Sequence, residues 1–382
     1  MIITEETRKK IIPIASGKGG VGKSVLTSNL GIVLAANGKK TILIDLDMGG
    51  SNLHTYLGIK NTNPGIGNFL SDQKKSFDKL LVETEYPNLS FIPGDVLVSG
   101  TANLLQSEKN AIIKEITAIE ADYILLDLGS GSSHNVVDFF LISNSGIIVT
   151  TTQAPAVLNA YGFLKNSLYR HVYRSLRSNK RAADSLEKAL KDKTPGSTPT
   201  AQQIAAKIKR IDKRKGQAML DECAAFRPHL VINMAEQPDE IDIAESLKEL
   251  VKNTLSIDLG CLGVVFRDPA VNGAIEEITP LVVAAPDAPA SIQIERIAQK
   301  IIQSERFPIM PLDLDMYEDS FALARLEAET DHVEYHEPAA AQANGVAGMS
   351  AEDFLAIVSA HRKRIAELEE TIKRLTISNY SS

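Results

Sequence analysis

Along the first 300 residues, short runs of consecutive apolar residues alternate with stretches in which apolar residues recur every three or four positions. The runs Ile11 to Ala15, Thr41 to Leu46, Leu89 to Pro93, Tyr123 to Leu128, Gly146 to Thr151, His229 to Asn233 and Leu259 to Phe266 predict strands, and Leu281 to Ala284 predicts one more. Most are continuous rather than alternating, as expected of strands covered on both faces in a parallel sheet. After the first strand, Leu26, Leu30, Val33 and Leu34 fall on one helical stripe, and Asn37-Gly38 supplies a stop. Strand and helix alternating in this way predict an α/β fold with a mostly parallel, doubly wound sheet and right-handed crossovers. No internal repeat is visible.

Past Phe307 the pattern changes. Between Pro311 and Glu337 nine acidic residues face the single Arg325, and the Ala-Gly-rich stretch from Pro338 to Gly348 has linker composition. From Ala351, the residues Phe354, Val358, Ile365, Leu368, Ile372 and Leu375 return at near-heptad spacing. The expected organisation is one domain over 1–306, an acidic and Ala-Gly linker over 307–350, and an amphipathic or coiled-coil helix over 351–377. That helix carries five basic and five acidic residues up to Leu375, a balance that suits a protein partner better than a lipid surface. Three heptads are marginal alone, so pairing would depend on proximity supplied by the domain.

The composition is that of an ordinary globular protein: 382 residues, 44% hydrophobic, 23% charged, net charge -7. The charge is unevenly spread. Residues 165–216 hold 15 Lys and Arg against four acids, a local +11 that leaves -18 for the rest. Lys191 to Pro199 is expected to divide this basic segment into two helices. Such a segment offers non-specific DNA contact, acidic lipid, an acidic partner, or only a solvated face that offsets the acidic remainder. No apolar run approaches the length of a membrane span, and no basic-then-apolar leader opens the chain, so a cytoplasmic protein with at most peripheral membrane contact is expected. Cys223 and Cys261 are too few and too far apart for a disulfide framework, a Cys₄ zinc site or a self-contained iron–sulfur cluster. His54, His134 and His171 lack metal-ligand spacing.

The chemistry concentrates after the first strand. Gly17-Lys18-Gly19-Gly20-Val21-Gly22-Lys23-Ser24 runs straight into the Leu26 helix through Val25, which fits G-x-x-x-x-G-K-[ST] in the strand-to-helix setting it needs. Glycines let backbone N–H groups turn inward around phosphate oxygens, and the helix N-terminus adds partial positive charge. Lys23 is placed for β and γ phosphates and the Ser24 hydroxyl for Mg²⁺. The strand Thr41 to Leu46 ends at Asp45 and Asp47, which an i, i+2 spacing puts on one side. The strand at Tyr123 ends in Asp127-Leu128-Gly129, and the one at His229 ends at Asn233.

Ala15 to Ser24 resembles the deviant Walker A motif of the MinD/ParA ATPases, a P-loop NTPase family of the SIMIBI type. The resemblance implies ATP and Mg²⁺ as ligands, and an ATP-dependent homodimer in which Lys18 reaches the nucleotide of the partner subunit. By the same match Asp47 positions the attacking water, Asp45, Asp47 and Asp127 organise the metal with Ser24, Gly129 swings towards the γ phosphate, and Asn233 contacts adenine. Guanine-reading relatives carry Asn/Thr-Lys-x-Asp, which is missing here, so ATP is expected. The stretch Asp127 to Phe140, with Ile147 to Thr151 and Asn159-Ala160-Tyr161, is similar to the FlhG/FleN branch, which implies a weak, partner-activated ATPase acting as a spatial switch in flagellar number or placement. Two other readings stay open: a partition ATPase that binds DNA through 165–216, and an ATP-binding scaffold with negligible turnover.

Overall fold

The computed structural model describes residues 9–60, 63–71, 77–94, 104–191, 199–303 and 320–336. Its strands are β1 (Lys10–Ser16), β2 (Thr41–Leu46), β3 (Val82–Glu83), β4 (Leu89–Ile92), β5 (Tyr123–Ser130), β6 (Ile147–Thr150), β7 (His229–Ala235) and β8 (Gly260–Phe266). They form one sheet in the order β3-β4-β2-β5-β1-β6-β7-β8, parallel throughout except for β3 against β4. The helices are α1 (Lys23–Ala36), α2 (Leu53–Tyr56), α3 (Ile66–Ser71), α4 (Gln106–Ala118), α5 (His134–Phe140), α6 (Ala154–Leu176), α7 (Lys180–Lys191), α8 (Ala201–Ile211), α9 (Lys213–Ala225), α10 (Ile241–Leu255), α11 (Pro269–Glu276), α12 (Leu281–Ala284), α13 (Pro289–Gln303) and α14 (Ser320–His336).

The period-2 geometry of each strand divides its side chains between two cores. On β2, Ile42, Ile44 and Leu46 join the core built with α3–α10 and α14, while Leu43 joins the opposite core with α1, α2 and α11–α13. All of β2 is buried, which is why its sequence reads as a continuous apolar run broken only by Asp45. The doubly wound α/β architecture expected from the sequence is therefore present. It places the β1–α1 loop in the middle of the sheet, between β5 and β6.

Three expectations need correction. Leu281 to Ala284 is the helical turn α12, because Pro280 starts it and its carbonyl accepts the N–H groups of Val283 and Ala284 (3.0 and 2.9 Å). The eighth strand is instead the two-residue β3, too short to leave a pattern. Secondly, the basic segment spans the end of α6, all of α7 and α8, and the start of α9, rather than two helices. Ala182, Ala183, Leu186, Ile204, Ala205 and Ile208 tie α7 and α8 into the core, while Lys180, Arg181, Lys188, Lys207 and Arg210 stay exposed. Thirdly, part of the stretch read as an acidic linker folds on the domain: α14 packs against β8 through Phe321, Ala324 and Ala328, at i, i+3 and i+7. The expected helix over 351–377 lies outside the described residues. Among the described residues no helix is long and apolar enough to cross a membrane.

Candidate phosphate-binding site

The β1–α1 loop is shaped by what surrounds it. A Cβ at Gly17 would lie 2.3 Å from the backbone of Asn159, so only glycine lets the loop pass α6. Gly22 has φ +81°, and a Cβ there would meet the Asn233 amide at 2.2 Å. This left-handed residue turns the chain into α1, whose N-terminus has no side-chain cap, leaving its first N–H groups for an anion. Val21 is buried, and Lys18, Gly19 and Gly20 are exposed.

Beneath the loop the structure brings Lys23, Ser24 and Asp127 together. Lys23 Nζ stands 2.6 Å from Asp127 Oδ1, with the two side chains only 7% and 1% exposed. Ser24 Oγ donates to Asp127 Oδ2 at 2.7 Å, and Thr27 Oγ1 donates to Oδ1 at 3.2 Å. The ammonium and carboxylate neutralise one another inside the protein, a burial that either alone would not tolerate. A phosphate arriving at the loop offers Lys23 a second anionic partner, and the Ser24 hydroxyl with the Asp127 carboxylate is an oxygen donor set suited to a hard cation held largely by phosphate and water. This fits Mg²⁺ bound with a nucleotide rather than in a protein cage, and the described residues hold no cluster of His, Cys, Asp and Glu that would form one.

Asp45 and Asp127 are register partners on β2 and β5, but their surroundings differ. Asp45 is fully buried, and its oxygens accept from Asp47 N (3.0 Å), Ser51 Oγ (2.7 Å) and Leu53 N (3.1 Å). Burial, and then the charge of Asp127, push the Asp45 carboxyl up to about 6 against the opposing pull of these hydrogen bonds. What Asp45 does in this structure is hold the 47–53 loop. Asp47 lies beyond the end of β2, half-buried, beside Gly129: a Cβ on Gly129 would be 3.3 Å from Asp47 Oδ1. Gly131 N donates to Ser16 O (2.9 Å), which ties the turn after β5 to the start of the phosphate loop. Lys18 makes no hydrogen bond or ion pair among the described residues and stands apart from this cluster.

Next to the loop is a cavity of ≈ 220 Å³ lined by Gly22, Val25, Asn233, Met234, Phe266 and Arg267 among others. It is smaller than the roughly 300 Å³ of a drug-sized site, which suits one planar base. Asn233 lines it, with its Nδ2 donating to Val21 O at 2.8 Å, so it also braces the loop. Asp268, another lining residue, caps two helices: its oxygens accept from Ala270 N (2.8 Å) and Ala290 N (3.1 Å).

Sequence reasoning missed Thr27 and Ser51, and it named Asn159 only within a family resemblance, not as a neighbour of the loop. Thr27 lies four residues after Lys23 on one helical face, a spacing that could have revealed it. Ser51 and Asn159 act through tertiary contacts that leave no local signal.

Residues 9–178 match the AAA_31 family model, an AAA domain. The chain is 32% identical over 148 residues to the septum site-determining protein MinD of Helicobacter pylori, covering 38% of this chain and 54% of that one. It is 35% identical over 162 residues to the flagellum site-determining protein YlxH of the same organism, covering 41% and 53%. The chain thus spans about half the length of the curated relatives it matches. In structure, it resembles MinD complexed with Mg-ADP from Pyrococcus horikoshii, with a TM-score of 0.52 at 18% identity, over 78% of this chain and 100% of the other, which shows the shared fold. The loop, the strand-end carboxylates and the sheet, with these likenesses, show that the chain has the fold of MinD and is similar in sequence to MinD and YlxH over part of its length.

Proposed function

We propose that the chain is a Mg-ATP-dependent ATPase that dimerises around its nucleotides and acts in the cytoplasm as a spatial switch, in flagellar placement or the organisation of a cell pole. The observation that carries this reading is the buried Lys23–Asp127–Ser24 cluster directly under a glycine loop, with Asp47 held beside Gly129. Mg²⁺, bound with the nucleotide, would draw charge from the phosphates. Ser24 and Asp127 supply its protein oxygens, Lys23 pairs with phosphate, and the Asp47 carboxylate orients a water and accepts its proton. Adenine is supported by the cavity's polar groups: Asp268, the carboxylate that could read guanine, is committed to two helix caps. Dimerisation is supported by Lys18, which is exposed on the loop and makes no hydrogen bond or ion pair among the described residues. A protein partner for residues 351–377, and activation of a weak turnover by it, extend the reading beyond the described residues. The likeness to a flagellum site-determining protein favours flagellar placement.

A second reading, a partition ATPase, draws on the exposed cations Arg177, Lys180, Arg181, Lys188, Arg210 and Arg214 across α6–α9. One experiment separates the two. The Asp47→Ala protein is held with Mg-ATP, sized by gel filtration, then offered DNA and anionic vesicles. A dimer in ATP but not ADP supports the switch, and no ATP-dependent change in size sinks it. Retention on DNA that falls steeply between about 50 and 200 mM salt would favour partitioning.

A further inference from the structure

β8 is the edge strand of the sheet, and an edge strand leaves one row of backbone groups unpaired. Here side chains of α13 and α14 bond three backbone groups of β8. Cys261 N donates to Ser320 Oγ (2.9 Å), Leu262 O accepts from Lys300 Nζ (2.8 Å), and Phe266 N donates to Gln293 Oε1 (2.9 Å). The last of these is at the wall of the cavity assigned to the base, because Phe266 and Arg267 line it.

Gln293 is 2% exposed and bridges two elements. Its Oε1 accepts from Phe266 N on β8 and its Nε2 donates to Asp331 Oδ2 on α14 at 3.0 Å. The amide has only one workable orientation, since the backbone N–H can only donate and the carboxylate can only accept. Asp331, 1% exposed, is itself fixed by a two-pronged bond from Arg296, with both N–O distances 2.9 Å. From the other side the His332 ring lies 5.9 Å from the Phe266 ring. Gln293 of α13 and His332 of α14 thus meet at the one residue where β8 ends and the cavity wall begins, with Asp331 behind Gln293. Nothing about the fold of α14 requires this, since Phe321, Ala324 and Ala328 already supply its apolar contact and Lys300 pairs with Glu327 at 2.5 Å further along.

We infer that Gln293 is a positioning residue for the nucleotide base, held in place by Asp331, so that α14 sets how tightly the base is bound while leaving the phosphate grip untouched. This rests on the reading of the loop and cavity as a nucleotide site. A segment outside the phosphate-binding core thereby tunes nucleotide affinity, and any event that lifts α14 from β8 releases the base first.

The test titrates the full chain, with Mg²⁺, by ADP and by inorganic tripolyphosphate, which occupies the loop but has no base. Gln293→Leu is expected to weaken ADP about tenfold, the scale of one well-placed hydrogen bond in a buried site, and to leave tripolyphosphate within about twofold. Asp331→Asn keeps the Gln293–Phe266 bond possible and should give a smaller loss of the same selective kind. Lys300→Met, which removes the bonds of α13 to Glu327 on α14 and to Leu262 O on β8 without touching Gln293, loosens α14 and should lower Tm, with at most a small ADP-selective loss. The inference is overturned if Gln293→Leu binds ADP like the parent, or if both ligands weaken in proportion. A parent protein that binds ADP no better than tripolyphosphate also overturns it, with the phosphate site standing. A parent that binds neither removes the nucleotide reading itself.

Discussion

At the scale of single residues, two side-chain environments carry consequences that can be measured. Gly22 combines a positive φ with a Cβ position inside van der Waals distance of Asn233. Gly22→Ala therefore incurs roughly 1–2 kcal/mol of backbone strain and displaces the Asn233 amide from Val21 O. Calorimetry should show Mg-ATP binding weakened at least about tenfold, with a small fall in Tm. The second environment is Asp138 on α5, fully buried and bonded by Lys109, Arg170 and Arg174, with His134 Nδ1 also 3.0 Å from Arg170. Burial alone raises this carboxyl, but the hydrogen bonds and charges of Arg170, Lys109 and Arg174 together outweigh it and hold it below the ordinary carboxylate value. A depressed native pKa confers stability that is present above the unfolded carboxylate range and lost as pH falls through the native value. Asp138→Asn leaves these cations without their anion and should cost about 3 kcal/mol at pH 7. Denaturant melts should show the gap from the parent closing below about pH 4, whereas a constant gap would mean that Asp138 acts through packing alone.

At the scale of elements, α14 is the piece the sequence hid. Its stripe of Phe321, Ala324 and Ala328 is regular, but three small or single aromatic positions among so many acids read as a charged tether until β8 is seen beneath them. Phe321→Ala should remove about 3 kcal/mol or more from the α14 contact and, by hydrogen exchange, deprotect the amides of Cys261 and Phe266 before those of β1 or β5. Uniform deprotection across the sheet would instead make α14 part of one cooperative unit. By contrast β1, β2, β5, β7 and β8 were legible because strands buried on both faces must be apolar along their whole length. The short β3 and the turn α12 were not, since two to four residues carry no period and Pro280 alone decides the latter. Likewise Gly17 to Ser24 was readable because the phosphate cradle is made within one stretch of chain. Asp45 was readable as a buried carboxylate, yet its partners Ser51 and Leu53 come from a loop whose path only the fold determines.

At the scale of the whole molecule, the net charge of -7 divides between an exposed cationic layer on α6–α9 and an acidic remainder that includes α14. That separation gives the protein a polarity along which DNA, lipid or an acidic partner would orient it, at ranges set by the Debye length. The phosphate loop stands at the centre of the sheet, and its exposed Lys18 makes no hydrogen bond or ion pair among the described residues. The account therefore turns on a second subunit completing the site. Turnover of Mg-ATP per subunit, followed over a wide range of protein concentration for the parent and for Lys18→Ala, tests this most directly. The account predicts a parent rate per subunit that climbs with concentration to a plateau and a Lys18→Ala rate that stays low throughout. A parent rate independent of concentration, or a Lys18→Ala protein that follows the parent curve, would contradict it.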